Sequence, residues 1–158
     1  MLVKSMCKAT FAAGCFWGVE AEFRKIKGVI STTTGYMGGT LRNPSYEDVC
    51  SNKSGHAEVV QILYDPKQIT YNKLLDIFWN IHDPTQLNRQ GVDIGKQYRS
   101  VIFYHTEKQR KQAEESKQQL QKTQKFKKEI VTNITKATIF YPAEDYHQQY
   151  YKKVRLSE

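Results

Sequence analysis

Cys15 lies in the run Gly14-Cys15-Phe16-Trp17-Gly18. The residues before it read as a short strand, Lys8–Ala13, and those after it as a helix. The thiol therefore falls at a strand-to-helix junction, and Gly14 permits the tight turn there. A sulfur at a helix N-terminus meets the positive end of the macrodipole and unpaired backbone N–H groups. Both favour thiolate over thiol and lower the pKa, as a nucleophile needs. Phe16 and Trp17 add an apolar wall. A buried, inert cysteine is the plainer alternative. Glu58, in Gly55-His56-Ala57-Glu58, opens a strand and alternates with Val60 and Ile62. Burial on that face would raise its pKa and make it a proton donor at neutral pH. His56, two residues away, shares the strand face and is a rival acid–base group. Tyr46 sits in a Pro44-Ser45-Tyr46 loop, and Gly91–Ser100 is a loop rich in hydrogen-bonding groups entering a strand. Taken singly, these also read as a solvated carboxylate, a surface Tyr and a loop cap.

The elements that must position these groups follow from periodicity. The spacing predicts a helix over Phe16–Ile26, with Phe16, Val19, Phe23 and Ile26 on one face. Val29–Tyr36 is β-branched and reads as a strand, and Ala57–Tyr64 is a strand stopped by Asp65-Pro66. Thr70 caps a helix through Ile81, with Leu74, Phe78 and Ile81 inward. Pro84–Gly95 reads as loop and Ser100–Tyr104 as a strand. A basic helix follows, started by a Thr106/Gln109 capping box. Thr135–Tyr141 is a last strand before a Tyr-rich tail. Strands interleaved with helices predict an α+β two-layer sandwich with helices on one face of a sheet.

The chain has 158 residues, fitting one domain over 1–158. Its longest charge-free stretch, Gly28–Leu41, has 14 residues, too short and too polar to span a bilayer. Met1–Thr10 lacks the apolar core of a secretory signal. Cys7, Cys15 and Cys50 cannot all pair within one chain, and without a secretory signal a reducing cytoplasm and free thiols are expected. The net charge is +8, and Glu107–Lys128 carries eight Lys/Arg against three Glu. That run reads as a solvated helix face, with an anionic partner as the alternative. It has one aromatic, Phe126, and no stacking platform, which argues against nucleic acid. No cysteine or histidine cluster has metal-ligand spacing, and Gly35–Gly39 is no nucleotide loop.

Eight segments stand out together: Gly14–Gly18, Gly35–Gly39, Asn43–Tyr46, Val49–Ser51, Gly55–Glu58, Asp83–Gly91, Asp93–Ser100 and Ala143–Gln148. In order and type, between about Lys8 and Lys153, they resemble the peptide methionine sulfoxide reductase A family. The resemblance implies a ferredoxin-like sandwich with extra loops and a C-terminal tail. It implies reduction of the S-epimer of methionine sulfoxide, free or in proteins, as oxidative damage repair. Cys15 is then the nucleophile that becomes a sulfenic acid, and Glu58 the acid that protonates the sulfoxide oxygen. Tyr46 and Tyr98 polarise the S–O bond, and Asp93 organises the site through hydrogen bonds. Phe16 and Trp17 hold the S-methyl group, and His56 stays on the substrate side as a hydrogen-bonding residue.

Many members of the family carry resolving cysteines in the C-terminal tail; Tyr141–Glu158 has none. Cys7 and Cys15 would sit at opposite ends of a strand, beyond disulfide reach. Cys50 is the internal candidate, if its loop moves. The other route is an outside thiol from thioredoxin, glutaredoxin or glutathione. No bound cofactor, metal, nucleic acid or membrane is expected, and the chain is expected to be a monomer with a comparatively open site. A peroxidase, an acyl transferase or a non-catalytic thiol protein are the competing readings of Cys15.

Overall fold

The protein is described by a computed structural model over residues 6–157. Period-two alternation builds its sheet. In β1 (Cys7–Ala13), Ala9, Phe11 and Ala13 join one apolar cluster while Ala12 joins a second on the opposite face. In β3 (Ala57–Tyr64), Val60 and Ile62 point to the first face, Ala57 and Val59 to the second. Glu58 shares the parity of Val60 and Ile62, which aims its carboxyl at the helix layer.

The remaining elements are α1 (Phe16–Arg24), β2 (Val29–Met37), α2 (Tyr46–Cys50), α3 (Tyr71–Asn80), β4 (Arg89–Gln90), β5 (Asp93–Ile94), β6 (Ser100–Tyr104), α4 (Glu107–Lys122), β7 (Asn133–Lys136), β8 (Tyr141–Pro142) and α5 (Tyr150–Ser157). The six-stranded sheet has the order β7-β6-β1-β3-β2-β8. Its pairs are antiparallel except β6 with β7. β3 lies between β1 and β2, so α1 crosses over β3 on its way. The larger core sits between this sheet and the helices. Phe11 stacks at 5.4 Å on Phe23 of α1 and at 5.1 Å on Phe78 of α3. Stacked aromatics add to the burial of their own area.

The α+β reading holds, with several local differences. α1 stops at Arg24, where a tighter turn from Ile26 N–H to Phe23 C=O replaces the helical bond. Ile26 still packs on the core, half-buried, as does Ile81, which caps α3. Pro84–Gly95 contains the small β4–β5 hairpin. The single strand expected over Thr135–Tyr141 is two strands at opposite edges of the sheet. Between them, Ala137 and Phe140 cover the second apolar cluster, and packing that face overrides strand propensity. The Tyr-rich tail is helical in α5 and packs on α1.

Candidate active site

Cys15 is the N-cap residue of α1, the place its junction required. Gly14 has φ +96°, and a Cβ there would lie 2.9 Å from the side chain of Gln90. Glycine thus lets the β4–β5 hairpin close against the cysteine turn. Gln90 pairs with Asp93 across that hairpin, which brings Asp93 beside the thiol. Beneath the turn lies Glu58, 1% exposed. Its Oε1 accepts the Phe16 N–H, the first amide of α1, at 3.1 Å. Its Oε2 is buried without a hydrogen-bond partner.

These surroundings set the proton inventory. Burial pushes Glu58 up to about 8, aided by Asp93 and opposed by the Phe16 amide. At neutral pH the carboxyl is therefore mostly protonated. Burial also pushes Cys15 up, to about 11, with Glu58 and Asp93 adding to the rise. The Trp17 and Gly18 amides pull the other way, as a helix N-terminus should, but burial outweighs them. The resting group is a thiol, which corrects the lowered pKa expected from the helix dipole alone. Cys15 remains half-exposed.

Tyr46 and Cys50 do not lie in a loop; both are on α2, one turn apart. Ser45 accepts the Asp48 N–H through its hydroxyl, and Asp48 accepts the Ser45 N–H, a reciprocal cap. Five residues make too short a helix to stand without such help. Ser45→Ala should cost about 1 kcal/mol in urea denaturation. Tyr46 bonds the Cys50 side chain, and burial raises both groups. Burial likewise raises Tyr98, to about 12, with Glu58, Cys50, Asp93 and Cys15 as contributing charges. The two phenols thus keep their protons, and both feel the Glu58 carboxyl and the Cys50 thiol.

The apolar side is layered. Phe16 is 1% exposed and lies behind the surface, in ring contact with Tyr36, Tyr46 and His147. Trp17 is half-buried and stacks on Tyr150 of α5 at 3.8 Å. Its indole N–H donates to Nδ1 of buried His147 at 2.9 Å.

Residues 7–157 match the family model described as peptide methionine sulfoxide reductase. The chain belongs to the peptide methionine sulfoxide reductase family. It is 61% identical over 146 residues to MsrA of Methanothermobacter thermautotrophicus, spanning 92% of this chain and 86% of that one. Yeast Mxr1 in its reduced form superposes with a TM-score of 0.89 at 39% identity, covering 95% of this chain and 86% of Mxr1. Mxr1 in complex with Trx2 superposes at 0.66 and 30% identity, covering 93% and 86%. The chain is thus an oxidoreductase, a peptide methionine sulfoxide reductase by family.

In the reductase, Glu58 and Asp93 act on Cys15, Glu58 and Cys50 act on both Tyr46 and Tyr98, and Tyr98 also feels Asp93 and Cys15. His56 lies apart. Its Nδ1 accepts the Gly39 N–H and its Nε2 donates to the Leu41 carbonyl, so both ring nitrogens are engaged by backbone. It braces the segment after β2 and has no ring nitrogen free for substrate. Sequence reasoning gave no role to Glu144 and His147, although both stand in the quoted run Ala143–Gln148. Glu144 accepts the Tyr36 hydroxyl and the Tyr46 N–H, tying α2 to the tail. Gln148 bonds the Thr34 N–H and carbonyl, holding the tail along β2. No described helix is long and apolar enough to cross a membrane.

Proposed function

We propose that the chain reduces the S-epimer of methionine sulfoxide, in polypeptides and as the free amino acid, through a sulfenic acid on Cys15. The observation that carries the reading is Glu58. It is a buried carboxyl fixed through one oxygen to the Phe16 amide, with the other oxygen unpartnered, beside a half-exposed thiol. Oxide cannot leave a sulfoxide unprotonated, so the reaction needs a group that holds a proton at neutral pH.

Glu58 gives its proton to the sulfoxide oxygen while the Tyr46 and Tyr98 hydroxyls donate to the same oxygen. The sulfur becomes electrophilic, and Cys15 Sγ attacks it. The thiol proton passes to Glu58, which restores the carboxyl. The substrate S–O bond then breaks as the hydroxyl moves to Sγ, the bond between the substrate sulfur and Sγ breaks with its electron pair left on methionine, and the oxygen ends on Sγ as a sulfenic acid. Sγ loses two electrons and the substrate sulfur gains two. Asp93 holds the hairpin side of the site, and Trp17, backed by Phe16, receives the S-methyl group. His147 fixes the indole from behind.

An outside thiol then attacks Cys15, releases water and leaves a mixed disulfide that a second thiol resolves. The complex of Mxr1 with Trx2 supports a thioredoxin in that role. Such reductants are abundant in the cytoplasm, where we place the protein. Separated S and R epimers of a blocked methionine sulfoxide, with dithiothreitol as reductant, test the reading. The S-epimer should be consumed and the R-epimer left; consumption of both alike, or of R alone, would overturn it.

A further inference from the structure

The basic run Glu107–Lys128 does not stay on one helix. Lys108, Arg110, Lys111, Lys117 and Lys122 lie on α4, which ends at Lys122. Gln124, at φ 56°, then turns the chain, as left-handed residues do after helix ends. Lys125, Lys127 and Lys128 follow the turn and are all exposed.

These three lysines line a groove of about 610 Å³ together with Arg89, Leu87 and Phe126. Its one carboxylate is Asp83, which already accepts from Thr85 and Gln86. Four cations therefore face the groove with little internal compensation. Lys125 reaches Asn80 at 3.3 Å and lies 5.6 Å from the Phe126 ring centre, contacts that leave its charge unneutralised. Leu87, 69% exposed, adds an apolar surface.

The far wall of the groove belongs to the β4–β5 hairpin. Arg89 and Gly91 line the groove, while Gln90, between them, meets Gly14, and Asp93 acts on Cys15. Groove and thiol thus flank one two-stranded hairpin. With strands ~4.8 Å apart a two-stranded hairpin is ~10 Å wide, which a chain at ~3.3 Å per extended residue crosses in about three residues, so side chains from about the third position onward reach the groove.

We propose that the groove receives an acidic segment of the polypeptide that carries the methionine sulfoxide. The reductase would then favour oxidised methionines with Asp or Glu a few residues away. This inference rests on the reductase reading above and adds a substrate class to it. A short concave groove suits a few side chains in an extended segment. A folded partner docks instead through about 800 Å² of its own surface. Positive potential focused in a cleft raises both encounter rate and affinity for negative charge.

The test uses two peptides of equal length with one methionine-S-sulfoxide. One has three Glu placed three to five residues from the sulfoxide, on either side in separate versions; the other has Gln there. Dithiothreitol is the reductant, so no protein reductant docks. At low ionic strength the Glu peptide should show a kcat/KM about tenfold higher, since each exposed ion pair contributes a few-fold. The advantage should shrink at physiological salt, where the Debye length is about 8 Å. Lys125→Gln/Lys127→Gln/Lys128→Gln should bring the ratio near one, and the corresponding Glu triple variant should invert it. Turnover of the blocked amino acid should stay unchanged in both, which certifies the fold. Equal kcat/KM for the two peptides in the parent protein would overturn the inference, as would a ratio that survives the triple substitutions. So would a defect that appears only when thioredoxin replaces dithiothreitol, which would assign the groove to the reductant. If the parent protein leaves the blocked S-sulfoxide unreduced, the reductase reading itself fails first.

Discussion

Replacing Cys15 with serine should end methionine formation entirely, down to the level without protein. The two electrons that reduce the sulfoxide come from Sγ, and a hydroxyl oxygen cannot supply them. Serine keeps the N-cap geometry and accepts hydrogen bonds there, so the fold is retained. Cys7→Ser is the matched control. Cys7 opens β1 and Cys15 follows its end, so at ~3.3 Å per residue the two lie far apart. That variant should keep its full first turnover. Methionine release with dithiothreitol, followed chromatographically, decides both.

Glu58→Gln should lower the rate of methionine release by about 10²–10⁴-fold, the usual reach of a general acid. The amide keeps an oxygen for the Phe16 N–H but cannot give a proton of useful acidity. The same substitution should act oppositely on stability. Glu58 titrates near 8 in the fold against a reference of 4.5, so between these values the folded state holds more protons than the unfolded one. Its contribution is fully present below the unfolded pKa and is lost as pH rises through the folded one. Gln carries no such penalty. Relative to the parent, the Tm of Glu58→Gln should therefore rise steadily from pH 5 to pH 8. In the parent, activity that depends on the protonated carboxyl should fall as pH passes about 8. Near-normal turnover in Glu58→Gln would remove Glu58 from the proton-donor role.

What could be read from the sequence was what is local. Gly14 and the change from period two to helical spacing put Cys15 at its junction, and the alternation of Glu58 with Val60 and Ile62 put the carboxyl on the buried face. α2 was hidden because Asn43-Pro44-Ser45-Tyr46 has turn composition, although Ser45 and Asp48 had the spacing of a cap. The Cys15 proton affinity departs from the sequence expectation because the helix N-terminus is visible in sequence, whereas the burial that outweighs it is a property of the assembled site. Trp17 and His147 are separated by 130 positions, and Tyr46 and Glu144 by 98. No periodicity spans such distances. His56 stands one residue before β3, where its ring turns to the backbone of Gly39 and Leu41 and leaves the strand face to Glu58.

A single turnover without reductant tests the chemistry most directly. Fully reduced protein is mixed with a peptide containing methionine-S-sulfoxide, and methionine formed and thiols lost are counted per chain. The expected result is one methionine and one thiol lost, with one added oxygen located on Cys15 by mass spectrometry. No methionine would contradict the reaction itself. One methionine with two thiols lost would contradict direct attack by an outside thiol and assign the second sulfur of an internal disulfide, with Cys50 the thiol beside the site.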